Sequence, residues 1–250
     1  MRKAGTPSFA DKMHRFFTNE IQPNTAVVRG DDVKHIAKVL RLRAGDRVQL
    51  CDGNGRECEA VIRSVSPDAV TFDTESWREA RSEPRAKITL FQCLPKAGKM
   101  ETIIQKCVEL GVCCFVPVQS ERCVVVLKPP YEGRIERWQR VSEEAAKQSR
   151  RGVIPTVSLP VSPDKLDFAG FDTVLVAFEN EQTVSLKAAL REGCGTRIAI
   201  VIGPEGGFSD MEIGILAQKG ARSVSLGTRI LRTETAGMAM AAQILYEVEP

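Results

Sequence analysis

The stretch Ile198-Ala-Ile-Val-Ile-Gly-Pro-Glu-Gly-Gly-Phe-Ser-Asp-Met-Glu212 decides how this chain is read. Ile198 to Ile202 is a short, unbroken apolar run, the composition of a strand covered on both faces. Gly203, Gly206 and Gly207 follow at once. They allow backbone angles closed to other residues and let a ligand approach the main chain. Pro204 stiffens the loop. Ser209 and Glu212 have the spacing of a capping box, which predicts a helix beginning there. A glycine loop at the carboxyl end of a sheet strand is where open α/β folds bind ligands.

One helix and one strand further on comes Ser223-Val-Ser-Leu-Gly-Thr-Arg-Ile-Leu-Arg-Thr-Glu-Thr-Ala236. Leu226-Gly227 ends a predicted strand. Thr233 is placed to cap a helix carrying Ala236, Met240 and Ile244. Neither loop has the Lys-Ser/Thr of a phosphate-binding loop or the G-x-G-x-x-G of a dinucleotide fold. Alone, each reads as well as a tight turn. As a pair of strand-end loops close in sequence, they point to one ligand site.

Upstream of these blocks, strands and helices alternate. Ile88 to Cys93, Val112 to Val118 and Thr173 to Phe178 are predicted strands. Lys99 to Leu110 is a predicted helix with Met100, Ile103, Ile104, Cys107 and Val108 on one face and Gly111 as its stop. Arg134 to Ser149 is another. Such alternation predicts an α/β domain with a largely parallel sheet, over residues 88–250. Residues 13–76 read differently. A helix over Asp31 to Leu40 precedes short strands at Arg47 to Asp52, Glu57 to Val65 and Ala69 to Thr74. Turn chemistry at Gly53-Asn-Gly55 and Ser66-Pro-Asp68 separates them, which predicts a small, mostly antiparallel barrel. Lys34, Lys38 and Arg41 fall at i, i+4 and i+7 on the polar face of the helix. Ser76 to Lys87 has no apolar period, so residues 77–87 are the expected linker. Residues 1–12 read as a flexible leader.

At 250 residues the chain is long enough for two domains. A net charge of +3 does not by itself argue for nucleic acid. The eight cysteines form no C-x-x-C pair, and only His14 and His35 could join them, so no metal site is expected. Nothing resembles a signal peptide, and no run is long enough to span a bilayer. The expected place is the reducing cytoplasm.

The pattern G-P-E-G-G-F-S followed by L-G-x-R-I-L-R-x-E-T-A, with Leu94-Pro-Lys-Ala-Gly-Lys-Met-Glu-Thr-Ile-Ile-Gln-Lys-Cys-Val-Glu-Leu-Gly111 before it, resembles the SPOUT methyltransferases. More narrowly it resembles the RsmE-type family, which methylates N3 of a uridine in 16S ribosomal RNA. The likeness covers nearly all of the chain from Met13. It implies an α/β domain with a trefoil knot behind a PUA-like RNA-binding barrel. It also implies S-adenosylmethionine as cofactor, a homodimer, and 16S ribosomal RNA or the small ribosomal subunit as partner. On that likeness, Ala177, Phe178, Ile202, Gly203, Pro204, Gly206, Leu226, Gly227, Ile230 and Leu231 form the cofactor pocket. Arg232, Glu234 and Glu205 stand at the methyl-transfer centre. A cation there would stabilise the uracil anion, and the proton would go to Glu205, to Glu234 or to solvent. Arg15, Lys34, Lys38, Arg41, Lys96, Lys99 and Arg122 are the implied RNA contacts. Two other readings share these residues: the same fold acting on a ribose 2′-hydroxyl or a tRNA base, and a non-catalytic RNA-binding or ribosome-assembly protein.

Overall fold

The computed structural model describes residues 13–96 and 98–249, so the leader predicted over residues 1–12 lies outside it. The chain divides into two units, Met1–Glu83 with Arg150–Ile154, and Pro84–Ser149 with Pro155–Pro250.

In the first unit, β3 (Thr25–Arg29), β4 (Arg47–Cys51) and β6 (Ala69–Thr74) show alternating burial, the signature of strands with one face on a core. With β1 (Arg15–Phe17), β2 (Glu20–Gln22), β5 (Arg56–Val65) and β7 (Arg78–Glu79) they make one sheet in the order β1-β4-β5-β6-β3-β2, with β7 on β5. All pairs are antiparallel except β1 with β4. β1 and β2 lie at opposite ends of this order, yet only Thr18 and Asn19 join them. The sheet must therefore curl back on itself. Thr18 marks the join: its amide donates to Cys51 and its hydroxyl to Val27. The curl encloses Phe16, Val28, Ile36, Leu50, Ile62 and Phe72.

One expectation for this unit needs correction. The helix predicted over Asp31–Leu40 is a short α1 (Asp31–Lys34) that widens into a π-helical turn over His35–Val39. There the Leu40 amide bonds the His35 carbonyl, five residues back. The widening breaks the i, i+4, i+7 stripe. Lys34 and Lys38 stay exposed, whereas Arg41 lies past the helix at φ 55°. The stretch predicted as a linker carries contacts of its own, and the division between Glu83 and Pro84 falls inside it. Arg78–Glu79 pairs with β5, and Arg56 stacks 5.9 Å over the Trp77 ring. Glu83 accepts hydrogen bonds from Arg151 Nη2 (2.7 Å) and from the amides of Gly152 (2.8 Å) and Val153 (3.1 Å). That carboxylate holds Arg150–Ile154 on the first unit.

The second unit has a six-stranded sheet. Its elements are β8 (Lys87–Cys93), α2 (Lys99–Leu110), β9 (Cys114–Val118), α3 (Glu132–Gln148), β10 (Thr156–Val157), β11 (Thr173–Ala177), α4 (Leu186–Arg191), β12 (Arg197–Ile202), α5 (Asp210–Gln218), β13 (Arg222–Val224) and α6 (Thr233–Val248). The strand order is β10-β9-β8-β12-β11-β13, parallel throughout. β12 is buried along its apolar run, as a central parallel strand requires. The predicted face of α2 (Met100, Ile103, Ile104, Cys107 and Val108) is the buried one. Gly111 ends this helix in the left-handed region, φ 106°. α6 packs on β8, β12, α2 and α4. The second unit is thus an α/β fold on a wholly parallel sheet, and the first is a curled, mostly antiparallel sheet.

Candidate functional site

Register fixes the site. Gln92 of β8 pairs with Ile202 of β12, Ile202 with Ala177 of β11, and Ala177 with Val224 of β13. Four adjacent parallel strands thus end in one row. The loops leaving them enclose a cavity of about 650 Å³, within the range of small-ligand pockets. It lies wholly in the second unit.

The cavity brings together all ten residues expected to hold the cofactor: Ala177, Phe178, Ile202, Gly203, Pro204, Gly206, Leu226, Gly227, Ile230 and Leu231. Arg232, Glu205, Lys96 and Lys99 also line it. Gly207 of the glycine loop and Glu179, at the strand end expected to complete the wall, line it too, whereas sequence reasoning passed over Ser225, Thr228 and Ala236. Gly207 sits at φ 66°, which favours glycine, and the Glu179 carboxylate occupies the space beside it. Gly227, φ 116°, has open space beside it. Gly203 differs from expectation. A Cβ there would meet the Phe208 ring at 3.2 Å, so its bareness serves loop packing first.

The glycine loop is braced from behind. Arg122 Nη1 donates to the carbonyls of Gly206 (3.1 Å) and Phe208 (3.3 Å). Glu212, nearly buried, closes the predicted capping box with Ser209 and also accepts the amide of Glu121 at 2.9 Å. Arg122 therefore shapes the loop through Nη1 while its residue stays exposed. Arg15 is likewise committed. Its guanidinium, 10% exposed, pairs with Glu57 at 2.9 Å and bonds Gln49 and the Arg150 carbonyl within the first unit. Burial and saturation of its donors make it structural instead of a phosphate contact.

Thr233 is not the cap of α6 that its position suggested. Arg232 occupies the N-cap, with no side-chain cap bond. The Thr233 hydroxyl instead donates to the Gly203 carbonyl at 2.6 Å and accepts from Gln92 Nε2 at 2.9 Å.

Lys99 spans two loops. Its ammonium hydrogen-bonds Glu205 Oε1 at 3.0 Å and forms an ion pair with Glu234 Oε2 at 3.1 Å. The contact to Glu205, then that to Glu234, raises the Lys99 pKa. Partial burial pushes Glu205 upward, but the amide of Lys96 and the ammonium of Lys99 outweigh it and hold this carboxyl below its ordinary value. Burial likewise pushes Glu234 up. Its own helix amide, Lys99 and the charge of Arg232 then bring it below the ordinary value. Both carboxylates are therefore ionised and engaged.

Arg232 is exposed at the amino end of α6. The helix dipole disfavours a cation there and arginine is a poor N-cap, so helix capping does not explain this placement, though its charge does favour the ionised Glu234. Its position at the cavity wall makes the side chain available to a ligand.

A parallel α/β unit whose strand ends form a glycine-lined cavity rimmed by cations, in a chain that also carries a curled, mostly antiparallel sheet, is that of an S-adenosylmethionine-dependent RNA methyltransferase. Residues 81–245 match the family model described as RNA methyltransferase domain, and residues 28–75 the one described as RNA methyltransferase PUA domain. The chain is 35% identical to ribosomal RNA small subunit methyltransferase E of Bacillus subtilis, over 90% of this chain and 91% of that protein. Against the same-named protein of Aquifex aeolicus it is 32% identical, over 90% and 95%. A ribosomal RNA small subunit methyltransferase E from Neisseria gonorrhoeae, solved with bound S-adenosyl methionine, superposes with TM-score 0.82 at 30% identity, covering 94% of this chain and 97% of that one. The chain belongs to the ribosomal RNA small subunit methyltransferase E family.

No helix of the described residues is long and apolar enough to cross a membrane. Among the same residues no cluster of three or more metal-binding side chains occurs.

Proposed function

We propose that this protein transfers a methyl group from S-adenosylmethionine to N3 of a uridine in the 16S RNA of the small ribosomal subunit. The observation that carries the mechanism is Arg232, an exposed cation set at the cavity wall where helix capping does not call for one. The cofactor supplies an activated methyl group on a sulfonium. The cavity fits it in size and in its mix of apolar walls and close backbone. Ala177, Phe178, Ile202, Leu226, Ile230 and Leu231 would enclose the apolar parts, with the backbone at Gly203 and Gly227 close by.

The uracil N3–H must lose its proton before attack. Arg232 stabilises the negative charge on the ring as it develops. Glu205 and Glu234 are ionised partners of Lys99, and carboxyls held below their ordinary pKa are weak bases. In this reading the proton leaves to solvent and the two carboxylates hold the site in shape. Lys34 and Lys38 on the first unit and Lys96 on the second meet phosphates. The enzyme works in the cytoplasm as an isologous dimer.

The test is mass spectrometry of nucleosides from 16S RNA of cells with and without the gene. N3-methyluridine should vanish on deletion and return with the wild-type gene, but not with Arg232→Ala. Loss of a ribose-methylated nucleoside instead would move the activity to a 2′-hydroxyl. An unchanged profile would refute the reading. Light scattering of the purified protein decides the dimer.

A further inference from the structure

Gln92 is fully buried in the middle of the parallel sheet. Burying an amide there costs roughly 1–3 kcal/mol wherever its groups go unpaired. Its Nε2 donates to the Cys93 carbonyl (3.0 Å) and to Thr233 Oγ1 (2.9 Å). Its Oε1 accepts no hydrogen bond among the described residues. An apolar side chain would suit this place better if stability were the only concern.

What the amide does is orient Thr233. A hydroxyl has one hydrogen to give. Because Gln92 donates to the Thr233 oxygen, that hydrogen points away from Gln92, and it meets the Gly203 carbonyl at 2.6 Å. The direction of donation runs Gln92 to Thr233 to Gly203. Such a chain polarises along its length. It ends on the first residue after β12, at the cavity wall. The next residue, Pro204, has no N–H with which a neighbour could fix the Gly203–Pro204 peptide from the other side. The hydroxyl of Thr233 is the side-chain group that holds that peptide plane. Helix capping does not explain the arrangement. A capping hydroxyl accepts from helix amides, whereas this one donates out of the helix to another loop.

We propose that Gln92 and Thr233 are positioning residues: through the Gly203 carbonyl they set the wall that receives S-adenosylmethionine and lock the start of α6, next to Arg232, against it. The proposal rests on reading this cavity as the cofactor site.

Three variants test it: Thr233→Val, which keeps shape and removes the hydroxyl, Thr233→Ser, which keeps the hydroxyl, and Gln92→Leu, which replaces the amide by an apolar group. Each is titrated calorimetrically with S-adenosylmethionine and its thermal midpoint measured. Thr233→Val and Gln92→Leu should each weaken cofactor binding about tenfold, the equivalent of about 1.4 kcal/mol. Thr233→Ser should bind like wild type. Combining Thr233→Val with Gln92→Leu should cost little more than either alone, because both cut one chain. Gln92→Leu keeps the test alive should Thr233→Val not fold. A purely structural role would instead lower the thermal midpoint and leave the affinity of the folded protein untouched, which would overturn the proposal. Thr233→Ser binding as poorly as Thr233→Val would overturn it too. Wild-type protein that binds no S-adenosylmethionine would refute the reading of the cavity itself, a different failure.

Discussion

The Lys99 ammonium lies 3.0 Å from Glu205 Oε1 and so ties the first turn of α2 to the glycine loop after β12. The same nitrogen sits 3.1 Å from Glu234 in the first turn of α6. One cation thus holds two carboxylates that would otherwise repel each other at the cavity edge. The family likeness implied an RNA contact for Lys99. In the structure its charge is spent within the site.

Lys99→Met should therefore cut turnover about tenfold, as loss of roughly 1.4 kcal/mol of positioning would. RNA affinity and its salt dependence should stay as in wild type. A phosphate contact would instead lower the salt slope by about one unit when lost. Steady-state kinetics and RNA titrations at several salt concentrations separate the two outcomes.

Arg232→Ala should lower turnover by about 10²–10³, the usual effect of removing one stabiliser of a developing anion. Cofactor affinity should change little, because the charge matters only as the uracil anion forms. Arg232→Lys should recover part of the loss, since a point charge lacks the guanidinium fork. Wild-type turnover in Arg232→Ala, measured at saturating cofactor and RNA, would end the catalytic assignment.

Gly227 and Gly203 predict different failures. At Gly227, φ 116°, any side chain is strained but has room. Gly227→Val should fold and lose S-adenosylmethionine binding. Gly203→Val should drive the Phe208 ring aside and lower the melting temperature as well. Calorimetric binding paired with thermal melts shows whether the two substitutions separate in this way.

Local pattern made much of this molecule legible. The buried face of α2 followed from apolar spacing alone, and the capping box at Ser209 and Glu212 formed as its spacing required. The cavity residues were legible because they cluster in two short loops and one strand end. What stayed hidden depends on partners far away in sequence. Thr233 looks like a cap until Gly203, thirty residues earlier, takes its hydrogen. Arg15 looks free until Glu57 and the Arg150 carbonyl claim it. The π-helical turn at His35–Val39 escaped because apolar spacing cannot tell a widened turn from an α-helical one.

Lys34 and Lys38 are exposed on the first unit and keep their place as phosphate contacts in our proposal. Replacing both by alanine should weaken RNA binding and reduce the salt slope by about two units, with cofactor binding unchanged. Equal slopes for variant and wild type would make them solvated surface charges. Arg41, past the helix and in the left-handed region, should contribute less than either lysine when replaced alone.

The last prediction concerns Glu83 and Arg151, 68 residues apart, whose side chains are 9% and 3% exposed. Burial pushes the Glu83 pKa up, but Arg151 and the amides of Val153 and Gly152 more than offset this and leave it below its ordinary value of 4.5. A carboxylate lowered on folding stabilises the folded state at pH above its unfolded pKa, and that stability is lost as pH falls through the folded one. The attachment of Arg150–Ile154 to the first unit should therefore be firm at neutral pH and loosen only well into acid. Removing the carboxylate costs buried Arg151 this ion pair and the Gly152 and Val153 amides their acceptor, which should weaken the attachment of the segment. Hydrogen exchange reads this directly, because the Gly152 and Val153 amides both donate to Glu83. In Glu83→Ala they should exchange much faster at pH 7, while the amides of β12 in the other unit keep their protection. Gly152 and Val153 amides as protected in Glu83→Ala as in wild type would show that the segment is held by its backbone pairing to Gly53 and Gly55 and not by this ion pair.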